Sequence, residues 1–335
     1  MLKIKYRIVQ TDNGNFSPIF DRKAQRIFNC QLKLVNVRTE QETLSACRNA
    51  HLVLVTRGLF TKKVLEKMKY CLAIIRLGVG VENIDLKSAT ELGITVANVP
   101  DFCVEEVSDT VIGFILALNR KLFSLHKTVI GGRWDRRLGR PISRLKNQTL
   151  GLIGFGRIAR AIAAKMKGFG INIIAYDPYV KKQEIKRFLV RTVNFDYLLK
   201  QSDFISLHLP LKEKTYHLIG EKQLRKMKRN AYLINTSRGR IINEVALYKA
   251  LKEGWIAGAA LDVLEKEPPD INNPLLKLNN VILTPHFASY SEEAFRELEE
   301  RVREAAIAVL RGRFPNHILN PSVERKARLL EFKKF

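Results

Sequence analysis

The stretch TLGLIGFGRIARAIAAKMKGFGINIIAYD, residues 149–177, decides the fold. It reads as an apolar run of strand length, a glycine turn, apolar residues at helical spacing, and a second apolar strand. The turn, Gly154-Phe155-Gly156-Arg157-Ile158-Ala159, has the spacing of a dinucleotide-binding fingerprint with alanine in place of its third glycine. Gly154 permits a tight turn, Gly156 lets the backbone approach a pyrophosphate, and Ala159 occupies the position that sets helix-to-strand packing. The start of the following helix offers that dianion N–H groups and the positive end of its dipole. Asp177 closes the second strand 21 residues after Gly156. An acid there accepts both ribose hydroxyls of an adenosine and repels a 2′-phosphate, so NAD is expected over NADP. Asp177-Pro178 also suits the start of a turn, and Lys181 and Lys182 leave an opening for the phosphorylated cofactor.

Outward from this unit, strands and amphipathic helices alternate in both directions, the pattern of an α/β protein with parallel sheets. Downstream, ISLHLP, AYLINTS, AGAALDV and NVILTPH read as strands; upstream, KIKYRIVQ, LKLVNV, HLVLVT, LAIIRLG and ITVANV do. Helical patterns occupy 40–50 and 61–69, a long helix VEEVSDTVIGFILALNRK follows Asp101-Phe102, and a last one runs from Ser291 to Arg311. Residues 131–146 read as a polar, basic loop carrying Trp134. At 335 residues the chain is long for one core. Two α/β domains are therefore expected, with the second series forming a doubly wound parallel sheet of Rossmann type.

The 58 Lys and Arg against 33 Asp and Glu give a net charge of +25. These basic residues are spread along the chain, with short clusters at Lys181-Lys182, Lys226 to Arg229 and the tail 324–335, and no nucleic-acid-binding signature accompanies them. A solvated basic surface is expected, not a nucleic-acid partner. No apolar run reaches the ~18 residues needed to span a bilayer. The N-terminal MLKIKYRIVQTD alternates like a first strand and lacks the long apolar region of a signal peptide. A cytoplasmic location follows as the expectation. Cys30, Cys47, Cys71 and Cys103 have no CxxC or metal-ligand spacing. They read as small buried hydrophobes in a reducing compartment, with no metal site.

Three polar residues follow strands of the second series: Arg238 in LINTSRGRIIN, with Gly239 allowing a sharp turn, Glu267 in LDVLEKEPP, and His286 in VILTPHFAS. Taken singly they read as a surface ion pair, a turn residue and a satisfied loop histidine. Together they lie at the carboxyl ends of parallel strands, where open α/β sheets place ligands. A guanidinium there holds a carboxylate and polarises the adjoining carbonyl. An imidazole delivers a proton near neutral pH, and a carboxylate orients that ring and favours its charged form. Beside a nicotinamide, these are the demands of hydride transfer to a 2-oxo acid.

At these residues the sequence resembles the D-isomer-specific 2-hydroxyacid dehydrogenases. The likeness runs from about Val53 to Asn320 through RLGVGVENIDLKSATELGITVANVP, GLIGFGRIARAIA, AYLINTSRG, AALDVLEKEP and TPHFASYSEEA. IIRLGVGVENIDLKSA, VPDFCVEEVSDT and AYDPYV bring it nearest to members similar to C-terminal-binding proteins and to phosphoglycerate dehydrogenases. The resemblance implies Arg238 as the substrate-binding arginine, His286 as the general acid–base and Glu267 as its partner. It implies that Asp262 binds the nicotinamide carboxamide and that Thr236 and Ser237 line the nicotinamide ribose. His208, Leu209 and Pro210 pass beside the cofactor, and Thr110, Thr215 and Ser289 join the cofactor set. In RLGVG, the amides around Val79 and Gly80, following Gly78, would meet the substrate carboxylate with Arg76 adding charge. Arg57 matches an arginine that some phosphoglycerate members use for a distal phosphate. His51, His126, His217 and His317 are given structural roles.

The same resemblance implies a flavodoxin-like substrate-binding domain of residues 1–99 plus 290–335, and an NAD-binding domain of residues 100–289. It implies a homodimer formed through the region after the long helix, with Trp134 in the arm. The formate-specific branch carries Gln at the position of Glu267, so formate oxidation is not expected. No regulatory extension follows Pro321, so serine feedback is not expected either. The activity implied is NAD-dependent hydride transfer to or from a small D-2-hydroxy or 2-oxo acid of glyoxylate, hydroxypyruvate or phosphoglycerate type. The alternative is an NAD-sensing, corepressor-like dimer with little catalysis.

Overall fold

The structure, a computed structural model, describes residues 5–11 and 16–331. Lys3 and Ile4 of the expected first strand, and the last four residues of the basic tail, lie outside the described residues. The chain forms two compact units, Met1–Phe102 with Ser291–Phe335, and Cys103–Tyr290. The breaks fall at Phe102 and Tyr290, slightly beyond the expected Val99 and Ser289.

In the first unit, β1 (Tyr6–Thr11), β2 (Cys30–Val35), β3 (Leu52–Val55), β4 (Ala73–Arg76) and β5 (Thr95–Ala97) form one parallel sheet. Its order, β2-β1-β3-β4-β5, is the flavodoxin-like arrangement. Every residue of β3 is buried, as in a parallel strand covered on both faces. The helix Glu292–Leu310 belongs to this unit. Ala294, Leu298, Val302, Ala306 and Val309 recur on its buried face, and Ser291 caps it through Ala294 N–H at 2.9 Å.

The second unit holds β6 (Thr149–Ile153), β7 (Asn172–Tyr176), β8 (Arg191–Thr192), β9 (Phe204–Leu207), β10 (Tyr232–Asn235), β11 (Gly258–Leu261) and β12 (Val281–Leu283). All are parallel, in the order β12-β11-β10-β9-β6-β7-β8. The chain steps from β6 out to β8, then crosses back to β9 on the far side of β6. The strand order therefore reverses between β6 and β9, the crevice where doubly wound sheets bind ligands. Strand ends are level there: Ile153 pairs with Tyr176 and Leu207, Leu207 with Asn235, Asn235 with Leu261, and Leu261 with Leu283. The loops that follow thus leave the sheet side by side.

Three features depart from the sequence reading. The long helix ends at Asn119, and Lys121, at φ 53°, turns the chain into another helix, Leu122–Ile130, that periodicity had not marked. The loop at 131–146 contains short 3₁₀ turns at Arg136–Gly139 and Leu145–Asn147. Strand β8 has two residues, too few to show a period. The four cysteines are free and buried. Among the described residues no helix is long and apolar enough to cross a membrane.

Candidate active site

The glycine loop opens at the end of β6. Gly154 has φ 88°, and a Cβ there would stand 2.3 Å from the carbonyl oxygen of His208, so both conformation and space require glycine. Gly156 differs. A Cβ there would meet nothing within 4 Å, which is open space of the kind a phosphate needs. Gly156 is also the N-cap of the helix Arg157–Met166, which has no side-chain cap, so the helix start remains an anion-binding end. Phe155 and Ala159 are buried, whereas Arg157 is exposed and Ile158 half-buried. The Asp177 carboxylate accepts from Phe155 N–H at 2.8 Å, and from Tyr179 and Val180 N–H at 2.8 and 3.2 Å. It thus ties the end of β7 to the glycine loop and starts its own turn, with Pro178 exposed at the corner.

Across the switch point, His208 supplies the carbonyl beneath Gly154. Its Nε2 is buried without a hydrogen-bond partner, and burial pushes the ring's pKa down to about 3, so the imidazole is neutral at physiological pH. Leu209 packs into the core below, and Pro210 is exposed. The Thr215 hydroxyl donates to the Pro210 carbonyl at 2.7 Å and accepts from Lys212 N–H at 2.8 Å, closing this loop on itself. Thr236 Oγ1 is likewise a buried polar atom without a hydrogen-bond partner.

The ends of β10, β11 and β12 carry the polar residues. Asn235, fully buried, accepts from Ser237 N–H and Oγ at 3.0 and 2.8 Å and donates to the Arg238 carbonyl at 2.8 Å. This folds 235–238 into a compact turn, and Arg238 Nη1 donates to Ser237 O at 2.6 Å. Gly239 was expected to allow a sharp turn, but its φ is not positive. A Cβ there would fall 1.9 Å from the carbonyl carbon of Leu264, so glycine is required because the loops after β10 and β11 touch.

Asp262, 2% exposed, accepts from the Thr284 hydroxyl at 2.5 Å and from Phe287 and Ala288 N–H at 2.8 and 3.0 Å. Its carbonyl accepts from His286 N–H at 2.8 Å. These bonds fold the β12 loop and hold His286 at φ 55°. His286 Nδ1 then lies 2.6 Å from Glu267 Oε2, and Glu267 Oε1 accepts from Leu264 N–H at 3.1 Å. Burial opposes ionisation of Glu267. The hydrogen bond and charge of His286, the Leu264 N–H and the nearby charge of Arg238 outweigh it and hold the carboxyl below the usual range. Arg238, Glu267 and His286 are thus brought together at level strand ends. Beside them, Thr110 donates weakly to Ala288 O at 3.4 Å, Ser289 is half-buried, and Phe287 stacks on Tyr290 at 4.6 Å.

Residues 112–288, which hold this loop cluster, match the family model described as D-isomer specific 2-hydroxyacid dehydrogenase, NAD binding domain. The chain belongs to the D-isomer specific 2-hydroxyacid dehydrogenases. The dehydrogenase is 44% identical over 265 residues to a glyoxylate reductase of Korarchaeum cryptofilum, covering 78% of this chain and 80% of that one. It is 43% identical over 284 residues to a D-3-phosphoglycerate dehydrogenase of Methanocaldococcus jannaschii, covering 84% of this chain but only 54% of the relative. The crystal structure of D-lactate dehydrogenase from Aquifex aeolicus, complexed with NAD and lactic acid, matches with a TM-score of 0.82 at 28% identity over 93% of this chain and 99% of that one. The dehydrogenase is accordingly an NAD-dependent oxidoreductase of 2-hydroxy acids, with NAD as its cofactor.

The first unit of the dehydrogenase holds the remaining sequence-derived candidates. Gly78 has φ 134°, and its loop is braced by Val99 N–H on Gly78 O at 3.2 Å and Asn98 Nδ2 on Val79 O at 2.7 Å. Among the described residues the N–H groups of Val79 and Gly80 make no hydrogen bond. Arg76 was expected to lend charge, yet its Nη1 donates to the carbonyls of Thr56 and Val55, the latter at 3.2 Å, and ties β4 to β3. Arg57 is exposed. His51 accepts from Arg7 N–H at 3.0 Å, a structural bond, and His126 is exposed on its helix. Sequence reasoning missed Asn235, whose partners lie in its own turn, and Glu244 and Glu265, whose partners come from separate segments and leave no local pattern.

Proposed function

We propose that the dehydrogenase reduces a small 2-oxo acid of the glyoxylate type, with Arg238 holding the carboxylate and His286 delivering the proton. The observation that carries this reading is the 2.6 Å contact between His286 Nδ1 and Glu267. It fixes the ring and leaves Nε2 as the nitrogen that exchanges a proton with substrate. A nicotinamide held beside these loops would supply the hydride for the carbonyl carbon. His286 Nε2 gives its proton to the carbonyl oxygen, and Glu267 stabilises the imidazolium that precedes this transfer. The Arg238 guanidinium neutralises the carboxylate and polarises the carbonyl.

For the cofactor, the open space at Gly156 and the uncapped N–H groups of Arg157 and Ile158 suit the pyrophosphate. Asp177 suits the adenosine ribose, and the unpartnered Thr236 Oγ1 and His208 Nε2 are polar atoms that a ligand can satisfy. In the first unit, the N–H groups of Val79 and Gly80 suit a carboxylate. Glyoxylate is the acid proposed first because the chain is 44% identical over 265 residues to a glyoxylate reductase. A homodimer is supported by exposed Leu122, Phe123, Val129, Ile130 and Trp134, at 47–89% exposure. Free, buried thiols suit the reducing cytoplasm.

The test is NADH oxidation against glyoxylate, hydroxypyruvate, phosphohydroxypyruvate and pyruvate. Glyoxylate should turn over best, and Arg238→Ala should raise its KM and slow catalysis. Turnover with none of the four would favour the NAD-sensing alternative, and an unchanged saturation curve for Arg238→Ala would move the carboxylate to another group.

A further inference from the structure

Behind the catalytic loops stands a second set of polar residues with no part in the chemistry above. Glu265 and Glu244 clasp each other reciprocally. Glu244 N–H donates to Glu265 Oε1 at 2.9 Å, and Glu265 N–H donates to Glu244 Oε1 in a very short bond. Glu244 is the first residue of the helix Glu244–Lys252, so both carboxylates sit at the positive end of its dipole, which offsets their mutual repulsion. Asn273 Nδ2 donates to Glu244 Oε2 at 3.1 Å.

His217 completes the set. Its Nδ1 lies 3.3 Å from Asn243 Nδ2, and Asn243 uses its Oδ1 to cap Ala246 N–H at 2.9 Å. The amide orientation is therefore fixed, Nδ1 is the acceptor, and Nε2 carries the proton. That nitrogen is 3.0 Å from Glu265 Oε1, off the ring N–H axis, an electrostatic contact and not a straight hydrogen bond. His217 N–H donates to Arg240 O at 2.9 Å, so its segment is sewn to the turn after Arg238.

Glu265 lies two positions before Glu267, and the intervening backbone is pinned on two sides. Gly239 presses against Leu264 and Glu265, and Leu264 N–H holds Glu267 Oε1 at 3.1 Å. Arg238 has its own anchor in Asn235. We infer that Glu265, clasped by Glu244 and His217, is a positioning residue that sets Glu267, and through it the His286 imidazole, at the height from which the proton is delivered. Losing that clasp frees the Leu264–Glu267 backbone to shift, and a misplacement near 1 Å costs about 10²-fold in rate.

This inference rests on His286 being the proton donor, and a double-mutant cycle separates the two claims. Glu265→Ala should lower kcat by ~10–10²-fold with the KM for the 2-oxo acid and NADH binding nearly unchanged. In a His286→Ala background the same change should alter kcat by less than about twofold, because its route of action is already gone. Glu265→Gln keeps an acceptor for the Glu244 N–H and should show a smaller loss that also vanishes in that background. It carries the cycle if the alanine variant does not fold. Unchanged kcat in folded Glu265→Ala, a loss that simply adds to that of His286→Ala, or a rise in KM alone would overturn the inference. If His286→Ala itself keeps full turnover, the proton-donor reading fails first, and the role of Glu265 falls with it.

Discussion

At the scale of single residues, a side chain's meaning depends on what faces it. Gly239→Ala would drive a Cβ to within 2.0 Å of the Leu264 carbonyl, which is backbone and cannot swing away. That substitution should lower the melting temperature, cost on the order of 1–3 kcal/mol, and slow turnover, because the displaced loop is the one leading to Glu267. A wild-type melting curve would contradict the contact. His208 gives a pH prediction. In the unfolded chain it takes up a proton near its ordinary 6.5, while burial delays this to about 3 in the folded protein. Between those values the unfolded state holds one more proton, so the stability contributed by the neutral ring is complete above pH 6.5 and drains away as pH falls toward 3. His208→Gln should flatten the acid side of the stability curve, and thermal melts from pH 7 to 4 that superimpose on wild type would refute it. The glycine loop and the Arg238, Glu267 and His286 set were legible in the sequence, because glycine spacing and position after a strand are local properties. The reason for Gly239 and the clasp around Glu265 were not, since each depends on a neighbour brought in from another loop.

Secondary-structure elements were legible where they repeat their period long enough. Strands β6 to β7 with their helix, and the helix Glu292–Leu310, follow from apolar spacing alone. The break at Lys121 and the two-residue β8 do not, because one left-handed residue or one short pairing leaves no period to read. What matters for chemistry is the register. With Leu207, Asn235, Leu261 and Leu283 abreast, three consecutive loops deliver their polar residues to one level without any strain in the strands. Burial within these layers also silences the thiols. It raises Cys30 to about 11 and Cys47 and Cys71 to about 12, so none of the three is a thiolate at neutral pH. A disulfide reagent should therefore modify them only on unfolding, in step with loss of secondary structure. Rapid labelling of the native protein would contradict the burial.

For the whole molecule, the charge of +25 and the exposed apolar stretch from Leu122 to Trp134 pull in different directions. Spread charge keeps the surface solvated, whereas clustered Phe123, Ile130 and Trp134, the last 89% exposed, call for a cover. Phe123→Glu with Trp134→Glu should convert a dimer to monomers in sedimentation or light scattering, and a monomeric wild type would remove the proposal. Family, cofactor and the parallel two-sheet architecture together make the chain a hydride-transferring enzyme, and within it the assignment of the proton to His286 can be checked in isolation. The decisive experiment compares His286→Ala with wild type in steady-state reduction of the best 2-oxo acid, with NADH binding followed by fluorescence in the same samples. Turnover should fall ~10²–10⁴-fold while NADH affinity holds within about twofold; full turnover in the alanine variant would show that the proton comes from elsewhere.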